Sequence, residues 1–321
     1  MKVVVPDDYQ GAVATLSCFA RVAEHDVAIY RDTVKDVDVL AERFRDAEAL
    51  VLIRERTRVT RDLLERLPAL RLIAQTGRGI AHLDLGACTE RGVAVCTGDG
   101  SPVAPAELTW GLILAAARQI PREATAVRTG GWQTTLGSDL SGKTLGIYGY
   151  GSIGAIVAGY GRAFGMVVLV ASREGSLDRA AKDGFEAADR ADLFREADIL
   201  SLHLKLNDET RGIVTAADLA AMKPSALLVN TARSGLIAPG ALAEALRRGR
   251  PGLAAVDVFD EEPVPPGDPL PKLENVVCTP HLGYVTRESY ELYFGQAFDQ
   301  VIAFAAGTPT GVVNREVFDI C

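Results

Sequence analysis

Thr144-Leu-Gly-Ile-Tyr-Gly-Tyr-Gly-Ser-Ile-Gly154 decides how this chain is read. Its first five residues form a strand-length run, and a G-x-G-x-x-G pattern (Gly149, Gly151, Gly154) follows without a gap. Ala155–Phe164 then reads as a helix and Val167–Ala171 as the next strand. Strand, glycines, helix and strand in register are what a dinucleotide-binding turn requires. Gly149 permits the tight turn, Gly151 lets the backbone approach a pyrophosphate, and Gly154 allows close helix–strand packing. Tyr150, Ser152 and Ile153 complete the turn. The helix N-terminus offers free N–H groups and a partial positive charge to the anion.

The end of the second strand selects the dinucleotide. An acid about 20 residues after the glycines would accept hydrogen bonds from a ribose 2′-hydroxyl. This chain has Ala171-Ser172-Arg173-Glu174 instead. Ser172 stands where the acid usually falls, and the forked donors of Arg173 suit a 2′-phosphate. NADP is therefore favoured, with NAD the alternative. A solvated arginine, or one paired with Glu174, is the plainer reading of Arg173.

Outward from the turn, apolar runs alternate with helix-length amphipathic stretches. The candidate strands are Val3–Val5, Val27–Tyr30, Leu50–Ile53, Leu70–Ala74 and Val93–Cys96, then Thr144–Tyr148, Val167–Ala171, Ile199–Leu202, Ala226–Asn230, Gly252–Val258 and Val276–Cys278. Most lack polar alternation and so read as strands buried on both faces of a parallel sheet. The alternation implies doubly wound α/β architecture. A seam dense in Gly, Pro, Ser and Asp falls at 97–105, before an apolar helix candidate, Ala104–Gln119. Prolines cluster around Asp260–Asp268, and a last helix is expected over roughly Arg287–Ala306. At roughly 150 residues per domain, 321 residues make two domains, one inserted in the other.

Composition narrows the function. Apolar residues are 48% and charged residues 24%, which excludes disordered and fibrous classes. With 34 Lys and Arg against 42 Asp and Glu the net charge is −8, and no basic block offers a surface for nucleic acid or anionic membrane. No apolar stretch approaches the ~20 residues needed to cross a bilayer. The N-terminus reaches Asp7 too soon for a signal peptide. Cys18, Cys88, Cys96, Cys278 and Cys321 are scattered without a CxxC pair, as expected of reduced thiols in a cytoplasmic protein. The histidines do not sit at ligand spacing with them, so no metal site is expected.

Three residues follow strand ends beyond the glycine turn: Arg233 in Asn230-Thr-Ala-Arg-Ser-Gly235, Glu262 in Asp257-Val-Phe-Asp-Glu-Glu-Pro263, and His281 in Thr279-Pro-His-Leu-Gly283. Open α/β sheets place ligands at that edge. Hydride transfer to a ketone builds charge on the carbonyl oxygen, and a histidine is competent near neutrality to deliver the proton. A carboxylate on its other ring nitrogen fixes the tautomer. An arginine holds a substrate carboxylate bidentately and polarises the adjacent carbonyl. Singly, each has a plainer reading: a packed histidine, a helix-capping arginine, a turn acid. Together, after a dinucleotide turn, they read as acid/base, anchor and orienter. His203, at the end of Ile199–Leu202, is placed near the cofactor or in the core; His25 and His82 read as structural.

With these residues in view, the chain resembles the D-isomer-specific 2-hydroxyacid dehydrogenase family over nearly its whole length. The carriers are GYGSIG at 149–154, NTARSG at 230–235, DVFDEEP at 257–263 and TPHLGYVT at 279–286, with 29 residues from Arg233 to Glu262. The resemblance implies a homodimer. It implies a Rossmann-type dinucleotide domain, 100–286, inserted in a flavodoxin-like substrate domain formed by 1–99 and 287–321. It implies the roles argued for Arg233, Glu262 and His281, and adds Thr231, Ala232, Asp257 (near the nicotinamide carboxamide) and Gly283 to the cofactor set. Arg54, and the backbone of Arg78 and Gly79, are implied to face substrate, while Glu107 resembles a family position that a helix N-terminal acid also explains. Lys205 stands where members often have proline, and Ser172-Arg173 departs from the acid of the NAD-dependent majority.

The implied reaction is reversible reduction of a small 2-keto acid to its D-2-hydroxy acid, with glyoxylate or hydroxypyruvate as expected substrates and NADPH favoured over NADH. Pyruvate-like and phosphoglycerate-like acids stay open. The loops around Arg54, Arg78 and Trp132–Gly137 are expected to decide selectivity. A second reading, of another class, is a dinucleotide-sensing corepressor-like binding protein on the same fold.

Overall fold

Apolar runs buried on both faces become the strands of two parallel sheets. The computed structural model describes residues 1–319, so Cys321 lies outside the described residues. The strands are β1 (Lys2–Val5), β2 (Asp26–Ile29), β3 (Ala49–Leu52), β4 (Leu72–Gln75), β5 (Ala94–Thr97), β6 (Thr144–Tyr148), β7 (Val167–Ala171), β8 (Glu186–Ala187), β9 (Ile199–Leu202), β10 (Leu227–Asn230), β11 (Leu253–Val256) and β12 (Val276–Cys278). Sheets covered on both sides need no polar face, which is why β3, β4, β9 and β10 are buried at every position.

The chain divides into two units, Met1–Ser101 with the segment from Thr286 onward, and Pro102–Val285. The first carries a five-stranded sheet in the order β2-β1-β3-β4-β5, the flavodoxin-like arrangement. Helix Arg287–Ala305 belongs to this unit, begins at a Thr286 cap on the Ser289 N–H, and buries Tyr290, Phe294, Phe298 and Val301. Phe298 meets Phe19 edge-on at 6.0 Å, so the end of the chain supplies part of the core begun at its start.

The second unit carries seven strands in the order β12-β11-β10-β9-β6-β7-β8. The chain passes from β6 to β7 on one side and returns to β9 on the other, which leaves a crevice at the carboxyl end of β6 where ligands bind in such sheets. Helix Val103–Ala117 buries Trp110, Leu112 and Ile113 and packs Trp110 edge-on to Tyr160 at 5.9 Å.

The sequence reading needs correction at one strand and several ends. It did not include β8, two exposed residues paired only with β7 and therefore without an apolar signature. The helix after the glycines begins at Ser152 rather than Ala155, so Gly154 lies in its first turn. Among the described residues no helix is long and apolar enough to cross a membrane. Cys18, Cys88, Cys96 and Cys278 are free thiols.

Candidate active site

The glycine turn closes on β6. Gly149 has φ +104°, and a Cβ there would lie 2.8 Å from the His203 carbonyl carbon, so only glycine fits without strain. At Gly154 a Cβ would come within 2.3 Å of the Gly149 carbonyl oxygen, which couples the first helical turn to the loop. Gly151 differs: a Cβ there would meet nothing within 4 Å. The turn is thus tight where it packs and open at the N-terminus of helix Ser152–Ala163, whose first N–H groups lack intrahelical partners. That cradle fits the diphosphate of a dinucleotide.

Ser172 Oγ accepts from the Tyr150 N–H at 3.3 Å, which ties the end of β7 to the turn. Arg173 is the exposed N-cap residue of helix Glu174–Lys182, and among the described residues no carboxylate pairs with its guanidinium, Glu174 included. His203 lies against the turn, with Nε2 2.9 Å from Ser201 Oγ. Burial pushes its imidazole down to about 4, so it stays neutral. The Thr231 hydroxyl meets that of Thr109 at 2.7 Å, and Ala232 N–H donates to Asn230 Oδ1 at 3.1 Å.

Because β10, β11 and β12 are sheet neighbours, the loops that leave their carboxyl ends emerge side by side. His281 Nδ1 lies 2.6 Å from Glu262 Oε2, while Glu262 Oε1 accepts the Phe259 N–H at 3.0 Å. Burial opposes ionisation of Glu262, but the hydrogen bond and charge of His281, the Phe259 N–H and the charge of Arg233 outweigh it and hold the carboxyl below its ordinary value. An ionised carboxylate only accepts, so Nδ1 carries the proton in this pair and Nε2 is the nitrogen left to exchange one. Arg233 is fixed through its backbone, Asn230 Nδ2 donating to its carbonyl at 2.9 Å, and its Nη1 donates to the Ala232 carbonyl at 2.8 Å. Arg233, Glu262 and His281 are therefore brought together.

His281 holds φ +53°, a left-handed conformation that a non-glycine residue adopts at a cost of about 1–3 kcal/mol. Asp257, 0% exposed, sustains it. Its Oδ1 accepts from Thr279 Oγ1 at 2.6 Å and the Leu282 N–H at 2.7 Å, and its Oδ2 from the Gly283 N–H at 2.9 Å. Burial raises the Asp257 carboxyl, and these donors with the His281 charge offset that in part.

The substrate candidates belong to the first unit. Arg54, at the end of β3, also has a left-handed backbone, φ +53°, and its N–H donates to Thr76 Oγ1 at 2.8 Å. Its guanidinium lies where a Gly77 Cβ would be, so Gly77 makes room for it. Arg78 is exposed and ion-paired with Asp99 at 2.5 Å, and Gly79 sits against Glu55. In the second unit Glu107 is exposed and lies past the first turn of its helix, which weakens the helix-end explanation. Lys205 is exposed.

Sequence reasoning missed the polar residues that hold the others. Asn230 and Thr279 stood inside quoted motifs, yet their roles come from side-chain bonds, Asn230 back onto its own loop at Arg233 and Thr279 across to Asp257 on the neighbouring loop. Ser201 was read only as part of an apolar strand.

A family model described as D-isomer specific 2-hydroxyacid dehydrogenase, NAD binding domain, matches residues 110–283. The chain is 41% identical over 294 residues to the glyoxylate reductase of Aeropyrum pernix, with 88% of each covered. It is 42% identical over 254 residues to the D-3-phosphoglycerate dehydrogenase of Methanocaldococcus jannaschii, covering 78% of this chain but 48% of that longer one. A solved chain from Ralstonia solanacearum is 53% identical and superposes with a TM-score of 0.97 over 98% of this chain and 97% of its own.

Proposed function

The chain belongs to the D-isomer-specific 2-hydroxyacid dehydrogenase family and is an NAD(P)-dependent oxidoreductase, and on that premise we propose that it reduces glyoxylate or hydroxypyruvate to the hydroxy acid with NADPH as favoured donor. The observation that carries this reading is the His281–Glu262 pair at 2.6 Å beside Arg233, on the same sheet edge as the glycine turn. The nicotinamide, when bound, supplies the hydride in reduction and receives it in oxidation. His281 delivers the proton from Nε2 to the substrate oxygen. Glu262 holds the ring, with Nδ1 as the donor to its carboxylate. Arg233 grips the substrate carboxylate and draws charge at the carbonyl. Gly149 to Gly154 hold the diphosphate, while His203, Thr231, Ala232, Asp257 and Gly283 complete the cofactor side. Arg54, Arg78 and Gly79 are assigned to substrate.

The choice of acid leans on the Aeropyrum glyoxylate reductase, which this chain matches along most of both lengths. The Methanocaldococcus phosphoglycerate dehydrogenase is matched over only 48% of its length. The Ralstonia chain, however, matched over 97% of its length, carries the description of a D-3-phosphoglycerate dehydrogenase oxidoreductase, so phosphoglycerate-like acids belong in the same substrate screen. Nothing among these relatives supports the sensing alternative.

The unpaired Arg173 supports NADPH. Replacing it with alanine is expected to weaken NADPH by about 10–100-fold, the worth of a charge-assisted contact, and NADH by much less. Titration of both cofactors against the variant measures this. Equal losses would remove Arg173 from 2′-phosphate recognition.

A homodimer is part of the same proposal, supported by one surface. Helix Ile120–Arg128 buries none of its residues, and Trp132 and Leu136 beyond it are 78% and 98% exposed. Glu123 fixes the loop between them, accepting from Thr134 and Thr135 hydroxyls at 2.8 and 2.6 Å. Two large apolar side chains in solvent, on a loop tied to Glu123, suit a second copy of the chain. Leu136→Glu is expected to convert a dimer to a monomer by light scattering. A wild-type protein already monomeric at micromolar concentration would contradict the surface.

A further inference from the structure

Tyr150, between the first two glycines, is 2% exposed and held from four directions by one stretch of chain. Ser172 Oγ accepts its N–H at 3.3 Å, Arg179 Nη2 donates to its carbonyl at 2.9 Å, its hydroxyl donates to Asp183 Oδ2 at 2.6 Å, and its ring meets Phe185 edge-on at 6.0 Å. Burial, and then the Asp183 contact, push the Tyr150 hydroxyl up, so it stays a donor. Arg179 is itself placed: Nη1 donates to the Gly175 carbonyl and Nη2 to the buried Ser176 hydroxyl, each at 3.0 Å.

The Arg179 contact acts on a particular peptide. A trans peptide is planar, with its carbonyl and the following N–H pointing in opposite directions. Gripping the Tyr150 carbonyl therefore fixes where the Gly151 N–H points, away from Arg179. Gly151 is also the turn residue whose Cβ position faces open space.

We propose that Arg179 is a positioning residue for the dinucleotide, locking the Tyr150–Gly151 peptide so that the Gly151 N–H is aimed at the diphosphate before the cofactor arrives. The proposal rests on reading the turn as a dinucleotide site but not on the preference for NADPH, because the diphosphate is common to both cofactors. Arg179 differs in this from Arg173, whose proposed partner occurs in one cofactor alone.

The test is equilibrium titration of wild type, Arg179→Met and Arg179→Lys with NADH and NADPH, followed by nicotinamide fluorescence, with thermal midpoints as a control. Arg179→Met keeps the side-chain length and loses the donors. It is expected to weaken both cofactors by the same factor, about tenfold, the size of one lost charged hydrogen bond. Arg179→Lys, which keeps a charged donor, is expected to recover most of that loss. A lower thermal midpoint with unchanged affinities assigns Arg179 to stability alone and overturns the proposal. Weakening of NADPH alone makes Arg179 a reader of the 2′-phosphate and overturns it too. If wild type favours NADH while Arg179→Met weakens both equally, the NADPH preference falls and this proposal stands. If wild type binds neither cofactor, both fall.

Discussion

Replacing His281 with alanine is expected to lower keto-acid reduction by about 10²–10⁴-fold, the range for removal of a positioned general acid, while cofactor affinity changes little. The expectation follows from the division of labour within the second unit. The diphosphate is assigned to the glycine turn at the end of β6, whereas His281 follows β12, at the opposite end of the sheet order from β7 and β8. Its imidazole is not among the groups assigned to the cofactor, although Asp257 and Gly283 beside it are. With Nδ1 held by Glu262, Nε2 is the nitrogen available to hand a proton to substrate, and alanine leaves that transfer to water. Glu262→Gln, which keeps an acceptor but drops the charge, should fall between wild type and His281→Ala. The sign of the pH dependence follows from Glu262. Its depressed carboxyl keeps its support of His281 present throughout the neutral range, and that support is lost only as pH falls through the lowered value. Unaltered turnover in His281→Ala would remove the residue from proton transfer.

Arg233→Ala is expected to lower kcat/KM by about 10²–10³-fold, the scale for loss of one donor at a developing oxyanion. Unlike His281→Ala it should raise KM for the keto acid as well, since the anchor for the carboxylate goes with the polarising charge. Lysine should restore only part, because a point charge cannot make the forked contact. A second signature distinguishes this variant. Arg233 helps hold the Glu262 carboxyl down, so its removal lets that carboxyl rise and should move the acid limb of the pH profile toward higher pH. Steady-state kinetics across pH with glyoxylate or hydroxypyruvate measures both effects. An unchanged KM and an unmoved acid limb would contradict the placement of Arg233 beside substrate and Glu262.

Both parallel sheets were legible in the apolar runs because strands covered on two faces carry no polar alternation to blur them. β8 was not, since Glu186 and Ala187 are exposed and pair with one neighbour. The glycine turn and the loops bearing Arg233, Glu262 and His281 were legible as local patterns next to strand ends. What holds them was not. Arg179 reaches the Tyr150 carbonyl across 29 positions, and Asp257 reaches Leu282 and Gly283 across 25 and 26, distances at which no local pattern speaks. The left-handed backbones of Arg54 and His281 were equally hidden, because positive φ is uncommon for any residue but glycine and no turn signal in the sequence marks either position. Trp132–Gly137, expected to govern selectivity, exposes Trp132 and Leu136 on a loop tied to Glu123, and that exposure is what supports proposing it as a contact with a second copy as well.

The most direct test of the central claim is the rate at which purified protein consumes NADPH and NADH, read by nicotinamide absorbance, with glyoxylate, hydroxypyruvate, pyruvate and a bulkier 2-keto acid in turn. Turnover of glyoxylate or hydroxypyruvate, faster with NADPH than with NADH at equal concentration, is the predicted result. Binding of the dinucleotides with no consumption of either in the presence of any of these acids would contradict it.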